Sequence, residues 1–92
     1  MITIKEGNNK FYLGDSENNS KAEITYINSG DDTIIIDHTF VSDELRGQKL
    51  GHQLIQKVVD FARQKNKKII PQCSFAEKEF IENKEYEDVW SK

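Results

Sequence analysis

A single cysteine, Cys73, stands in a chain of 92 residues, so no disulfide can close within it. That usage fits a reducing compartment. The same scarcity excludes cysteine-rich zinc sites, and the two histidines, His38 and His52, lack metal-ligand spacing, so no metal is expected. Long apolar runs are absent as well. The longest uninterrupted aliphatic run is Ile34–Ile36, where a bilayer span takes about 20 residues, and the N-terminus carries no apolar segment of the signal-peptide kind. These absences predict a cytoplasmic protein with no membrane partner. Basic residues are not in excess: 13 Lys and Arg against 16 Asp and Glu leave a net charge of −3, which argues against nucleic acid as a partner.

What is present supports one small folded domain over residues 1–92. Hydrophobic residues make up 36% of the chain and aromatic residues 10%, too many for a disordered segment, while the length falls below that of two domains. No internal repeat, low-complexity tract or linker interrupts it.

Periodicity orders the elements. Met1–Lys5 reads as extended, Gly7-Asn8-Asn9 as a turn, and Lys10–Leu13 as a second strand. The polar stretch Gly14–Ser20 is expected to be a hairpin loop. From Lys21, the residues Ala22, Ile24 and Tyr26 alternate with polar neighbours, the period of a strand with one buried face. Thr33–Val41 is rich in β-branched residues and aliphatic on both sides of the pleat, which predicts the centre of the sheet, covered on both faces. Ser42-Asp43-Glu44 supplies a helix-capping group. In the following helix Leu50, Leu54, Ile55, Val58, Phe61 and Ala62 form the buried stripe. The basic run Arg63–Lys68 fits a solvated helix end. Lys68–Cys73 reads as a strand, with Ser74 capping a last helix through Val89. The expected architecture is α+β: a mixed, mostly antiparallel sheet with a late βαβ unit and a final helix.

The chemistry concentrates between the Thr33–Val41 strand and the helix that follows it. Arg46-Gly47-Gln48-Lys49-Leu50-Gly51 is a glycine-containing loop that opens a helix, a place where backbone N–H groups and two cations can meet a phosphate. Plain chain reversal is the commoner explanation of such a loop. A Walker-type loop would need Gly-Lys-Ser/Thr, and a dinucleotide loop Gly-x-Gly-x-x-Gly; neither is present.

The segment Val41–Leu54 resembles the acetyl-CoA pyrophosphate motif of GNAT-type N-acetyltransferases, Arg/Gln-x-x-Gly-x-Gly/Ala after a strand. Arg46 and Gly51 match its ends, and Lys49 stands where the middle glycine is usual. Ile70–Phe75, Phe80-Ile81 and Glu85–Val89 are similar to the C-terminal part of a very small single-domain subgroup of that superfamily. The resemblance spans roughly residues 10 to 90. It implies two neighbouring parallel strands that splay apart around the pantetheine arm of acetyl-CoA. Phe40, Val41 and Ser42 would supply the exposed strand edge, and Arg46, Gly47, Gln48, Lys49, Leu50 and Gly51 the pyrophosphate cradle, with His52 beside it. The second strand would end at Cys73. The helices that usually build the acceptor site are missing from this arrangement, so the acceptor cleft is expected to be open.

Acetyl transfer needs a neutral amine, a polarised thioester and a protonated leaving thiolate. His38 is the candidate base and Cys73 the candidate acid or acetyl carrier, each weighed against a structural role. Strand alternation predicts Asp37 on the face opposite His38, which argues against it as the base. The acidic residues Glu77, Glu79, Glu82, Glu85, Glu87 and Asp88 are read as a solvated helix face in preference to an amine-attracting patch. The leading expectation is an N-acetyltransferase that uses acetyl-CoA and a small or peptidyl amine. A non-catalytic acyl-CoA-binding module and an interaction domain without cofactor are the alternatives.

Overall fold

The structure is a computed structural model that describes residues 4–16, 19–45, 47 and 49–91. Strands β1 (Lys5–Gly7), β2 (Lys10–Ser16), β3 (Asn19–Asn28) and β4 (Thr33–Val41) are followed by helix α1 (Leu50–Lys65), strand β5 (Lys68–Pro71) and helix α2 (Ser74–Glu82). Short 3-10 turns occupy Asp43–Leu45 and Lys84–Tyr86. The sheet order is β1-β2-β3-β4-β5, antiparallel except for the parallel β4/β5 pair that closes the βαβ unit. This is the α+β architecture that the periodicity predicts.

Both helices pack on one face of the sheet. Ala22, Ile24 and Tyr26 of β3, Ile34 and Ile36 of β4 and Ile69 of β5 meet Leu50, Leu54, Ile55, Val58, Val59 and Ala62 of α1 in one core cluster. Each fully buried Val, Leu or Ile side chain there contributes about 1.5–3 kcal/mol. Ala76 and Phe80 of α2, with Tyr86 and Val89, join the same cluster, so α2 lies beside α1. Asn66 ends α1 in the left-handed conformation at φ 56°, and the Lys67 amide donates back to the Ala62 carbonyl at 2.8 Å.

The opposite face is bare among the described residues. Ile27, Ile35 and Ile70 lie side by side across β3, β4 and β5, and Ile27 and Ile70 are exposed. Here the structure corrects an expectation: β3, not β4, is the middle strand, and β4 is covered on one face only. Its aliphatic residues on both sides of the pleat reflect this open row, which composition cannot distinguish from a buried one.

Several boundaries shift. β1 begins at Lys5, and Met1–Thr3 lie outside the described residues. The expected Gly14–Ser20 loop is shorter, because β2 runs on to Ser16 and β3 begins at Asn19, with register irregularities around Gly14; Glu17 and Asn18 lie outside the described residues. Strand β5 stops at Pro71, and Cys73 rather than Ser74 caps α2. That helix ends at Glu82, where Asn83 leaves helical geometry at φ −121°. Ser42-Asp43-Glu44 caps no helix: Asp43–Leu45 form a separate turn, and the cap of α1 is Lys49.

Candidate functional site

Strands β4 and β5 separate just beyond the Ile36/Pro71 pair. The Ile36 carbonyl accepts from both the Gln72 and Cys73 amides, at 3.0 and 3.2 Å, which fixes the base of the gap. Beyond it β4 continues to Val41 while the chain after Pro71 turns into α2. The Ser42 amide donates to the Lys21 carbonyl at 2.8 Å and so faces β3. Alternation then aims the backbone groups of Val41 and Thr39 at the gap. Within the predicted edge Phe40-Val41-Ser42, Val41 is therefore the residue whose main chain borders the opening.

A cavity of about 710 Å³ fills the space between the end of β4, the start of α1 and one side of α2. Thr39, Val41, Gly47, Lys49 and Gly51 line it, with Phe75 and Glu79 of α2 and Asn83 just past its end, spaced four apart. Its volume lies within the range of sites for cofactor-sized ligands. The loop at its mouth is built from left-handed residues: Gly47 has φ 90° and Lys49 φ 58°. Gly51 is in close contact with Phe75, since a Cβ there would sit 2.5 Å from the Phe75 Cζ. Lys49 makes no side-chain cap, and the amides of the first helical turn have no intrahelical acceptor. An uncapped, positively polarised helix end thus opens on the cavity beside Lys49. Arg46 and Gln48 lie outside the described residues.

Cys73 is half-buried at the gap. The Ala76 amide donates to its Sγ at 3.4 Å, and its Sγ lies 3.5 Å from Thr39 Oγ1. His38 is placed differently from Cys73. A register shift in β4 pairs Tyr26 with Ile36 and Thr25 with His38, so Asp37 is an extra residue in the ladder. This bulge inverts the alternation beyond it. Asp37 accepts from Thr25 Oγ1 at 2.7 Å on the bare face, and His38 is also exposed, whereas Thr39 turns to the cavity. The expectation that Asp37 faces away from His38 is thereby corrected: both belong to the bare face. Phe40, 43% exposed, follows them there.

The family model described as GCN5-related N-acetyl-transferase matches residues 10–89. The chain belongs to that family. A GCN5-like N-acetyltransferase candidate from Staphylococcus aureus, whose solution structure was determined by NMR, is 51% identical, with a TM-score of 0.83 over 98% of this chain and 88% of that one. No curated protein matches the chain. Membership of the GCN5-related family assigns N-acetyl transfer at the family level, and no described helix is long and apolar enough to cross a membrane.

For this GCN5-related chain, the acidic segment near the C-terminus is more than a solvated face. Glu79 accepts from His52 Nδ1 at 2.7 Å inside the cavity, so His52 is tied to α2 as well as to the loop. Asp88 holds Arg63 through two bonds of 2.9 and 3.0 Å, and Arg63 also donates to the Glu85 carbonyl at 2.7 Å. The hydrogen bond from Arg63 holds the Asp88 carboxyl below the usual carboxylate range. The four-residue spacing Phe75, Glu79, Asn83 was the available signal for the cavity wall; nothing local marks His52 as its partner.

Proposed function

We propose that this protein, as one domain over residues 1–92, transfers an acetyl group from acetyl-CoA to a small or peptidyl amine. The observation that carries the reading is one cavity that runs from the uncapped start of α1 to Thr39 at the β4/β5 gap, whose Oγ1 lies 3.5 Å from Cys73 Sγ. Phosphates would meet the α1 amides, Lys49 and the Arg46–Gly51 loop, and the pantetheine arm would run along Val41 and Phe75 toward the gap. The α1–α2 side suits the donor because the cavity is there, and the bare face suits the acceptor because no described helix covers it.

On that face His38 is the base that takes a proton from the approaching ammonium, and the Asp37 carboxylate beside it favours a cation. The neutral nitrogen then forms a bond to the thioester carbonyl carbon while the C–S bond breaks. Cys73 protonates the departing thiolate, its Sγ held by Thr39 and the Ala76 amide, and the second proton that the nitrogen sheds on becoming an amide restores the Cys73 thiol. A covalent variant has Cys73 carry the acetyl group between the two substrates.

Acetyl transfer to a panel of amines, followed by thiol release, tests the reading in wild type, Cys73→Ala and His38→Ala. Loss of transfer in both variants with retained CoA binding supports it. Full activity in both variants overturns the residue roles, and CoA binding without transfer to any amine favours an acyl-CoA-binding module. Intact mass after incubation with acetyl-CoA distinguishes the covalent route, which requires an acetyl adduct that Cys73→Ala lacks.

A further inference from the structure

His52 stands in the first turn of α1 and Glu79 midway along α2, and both line the cavity. The His52 side chain is 34% exposed and that of Glu79 16%. A carboxylate only accepts, so the 2.7 Å bond places a proton on Nδ1. The state of Nε2 is then the open variable. In the neutral ring it carries a lone pair, and in the imidazolium it carries a proton.

The groups around the ring decide which state suits an anionic ligand. Glu79 faces it from α2, and Lys49 borders the same cavity from the loop. Tyr86, from the following 3-10 turn, lies at 6.5 Å between ring centroids, and burial pushes its phenol up, which keeps it neutral. Strand β4 contributes Thr39 and Val41, neither of which titrates. Glu79 is thus the one carboxylate among the described cavity residues. A phosphate oxygen set against Nε2 would meet a lone pair and a nearby carboxylate when the ring is neutral, but a donor and a balanced charge when it is protonated.

We propose that His52 and Glu79 form a proton-taking phosphate contact. When the phosphate end of CoA enters, Nε2 binds a proton from solution and donates it to a phosphate oxygen, while Glu79 orients the ring through Nδ1. The proposal rests on the acetyl-CoA reading of the cavity and adds a property to it, proton uptake on binding. Glu79 lies six residues past Cys73 along α2, about 9 Å at the rise of a helix, which sets the pair apart from the acetyl-transfer end.

Titration calorimetry of acetyl-CoA in buffers of different ionisation enthalpy reads the protons exchanged. The ligand's own phosphate titration is common to every variant and cancels on comparison. Wild type should take up more protons than His52→Gln, and between about pH 6 and about pH 8.5 it should lose several-fold more affinity than His52→Gln does. His52→Lys, a permanent cation, should restore tight binding with neither the extra uptake nor the pH dependence. Pantetheine, which lacks phosphate, should show no His52-dependent uptake. Acetyl-CoA binding with the same proton count and pH profile in wild type and His52→Gln overturns this proposal alone. Absence of acetyl-CoA binding to wild type overturns it together with the acetyl-CoA reading.

Discussion

Replacing Lys49 by glycine should make the protein more stable and its cavity weaker. Lys49 has φ 58° and ψ 30°, the left-handed region, directly before α1. There the Cβ of an L-residue crowds the following carbonyl, at roughly 1–2 kcal/mol. Glycine escapes that crowding but loses more chain entropy on folding, a cost of roughly 0.5–1 kcal/mol. The balance favours Lys49→Gly by roughly 0.5–1 kcal/mol, which for a domain of this size raises the Tm by about 2–8 °C. Lys49→Ala separates backbone from charge, because alanine keeps the strain and removes only the ammonium. Its Tm should stay close to wild type. Both variants should bind CoA about two- to fivefold more weakly, the loss expected for one exposed cation facing a phosphate. Thermal unfolding by circular dichroism and calorimetric titration with CoA give the two readouts. A Lys49→Gly protein no more stable than Lys49→Ala would refute the reasoning. The position where the family usually has glycine is thus the position where this chain bears strain, and the gain in return is a cation at the mouth of the cavity.

Further outcomes follow from other contacts. Gly51→Ala places a methyl 2.5 Å from Phe75 Cζ, and since Phe75 is 40% exposed the ring should swing away at modest cost in stability. The displaced ring would crowd the cavity and weaken CoA binding several-fold, whereas Gly51→Ala with Phe75→Ala should recover part of that affinity. Cys73→Ser keeps an N-cap acceptor for the Ala76 amide, and Cys73→Ala removes it, so the alanine variant should be less stable than the serine one by about 1 kcal/mol in urea unfolding. Arg63→Ala breaks an exposed pair and should cost no more than about 1 kcal/mol. Because the folded Asp88 carboxyl lies below its ordinary value, the unfolded chain binds the extra proton as the medium acidifies. Its contribution is therefore present above about pH 4 and is lost as pH falls through the folded value. Asp88→Asn should lower the urea midpoint at pH 7 and leave it closer to wild type near pH 3.

The elements that the sequence made legible are those whose signal lies within a few residues. The alternation of Ala22, Ile24 and Tyr26 marks the buried face of β3, and the stripe from Leu50 to Ala62 marks that of α1, because strand and helix periods are properties of neighbouring residues. The loop before α1 was legible for the same reason. The bulge at Asp37 was not, since alternation assumes one residue per register step and nothing in Ile36-Asp37-His38 announces an extra one. That one residue moved His38 onto the face of Asp37 and turned Thr39, rather than His38, toward Cys73. The one-sided covering of β4 was illegible too, because an aliphatic row reads alike whether a helix covers it or not.

The sequence by itself determined the order of the elements, the absence of a disulfide, the glycine-bearing loop that opens a helix and the resemblance that the family match bears out. Each of these is a local pattern or a count. The tertiary structure decided which groups meet: Cys73 with Thr39 at the strand gap, Phe75 against Gly51, and Glu79 with His52 across two helices. Glu79 and His52 are 27 residues apart in the chain, and only the packing of α1 beside α2 on one face of the sheet brings carboxylate and imidazole within 2.7 Å. The physical reason is that a period fixes the face an element buries, while the partner on that face depends on how all the buried faces close over one another.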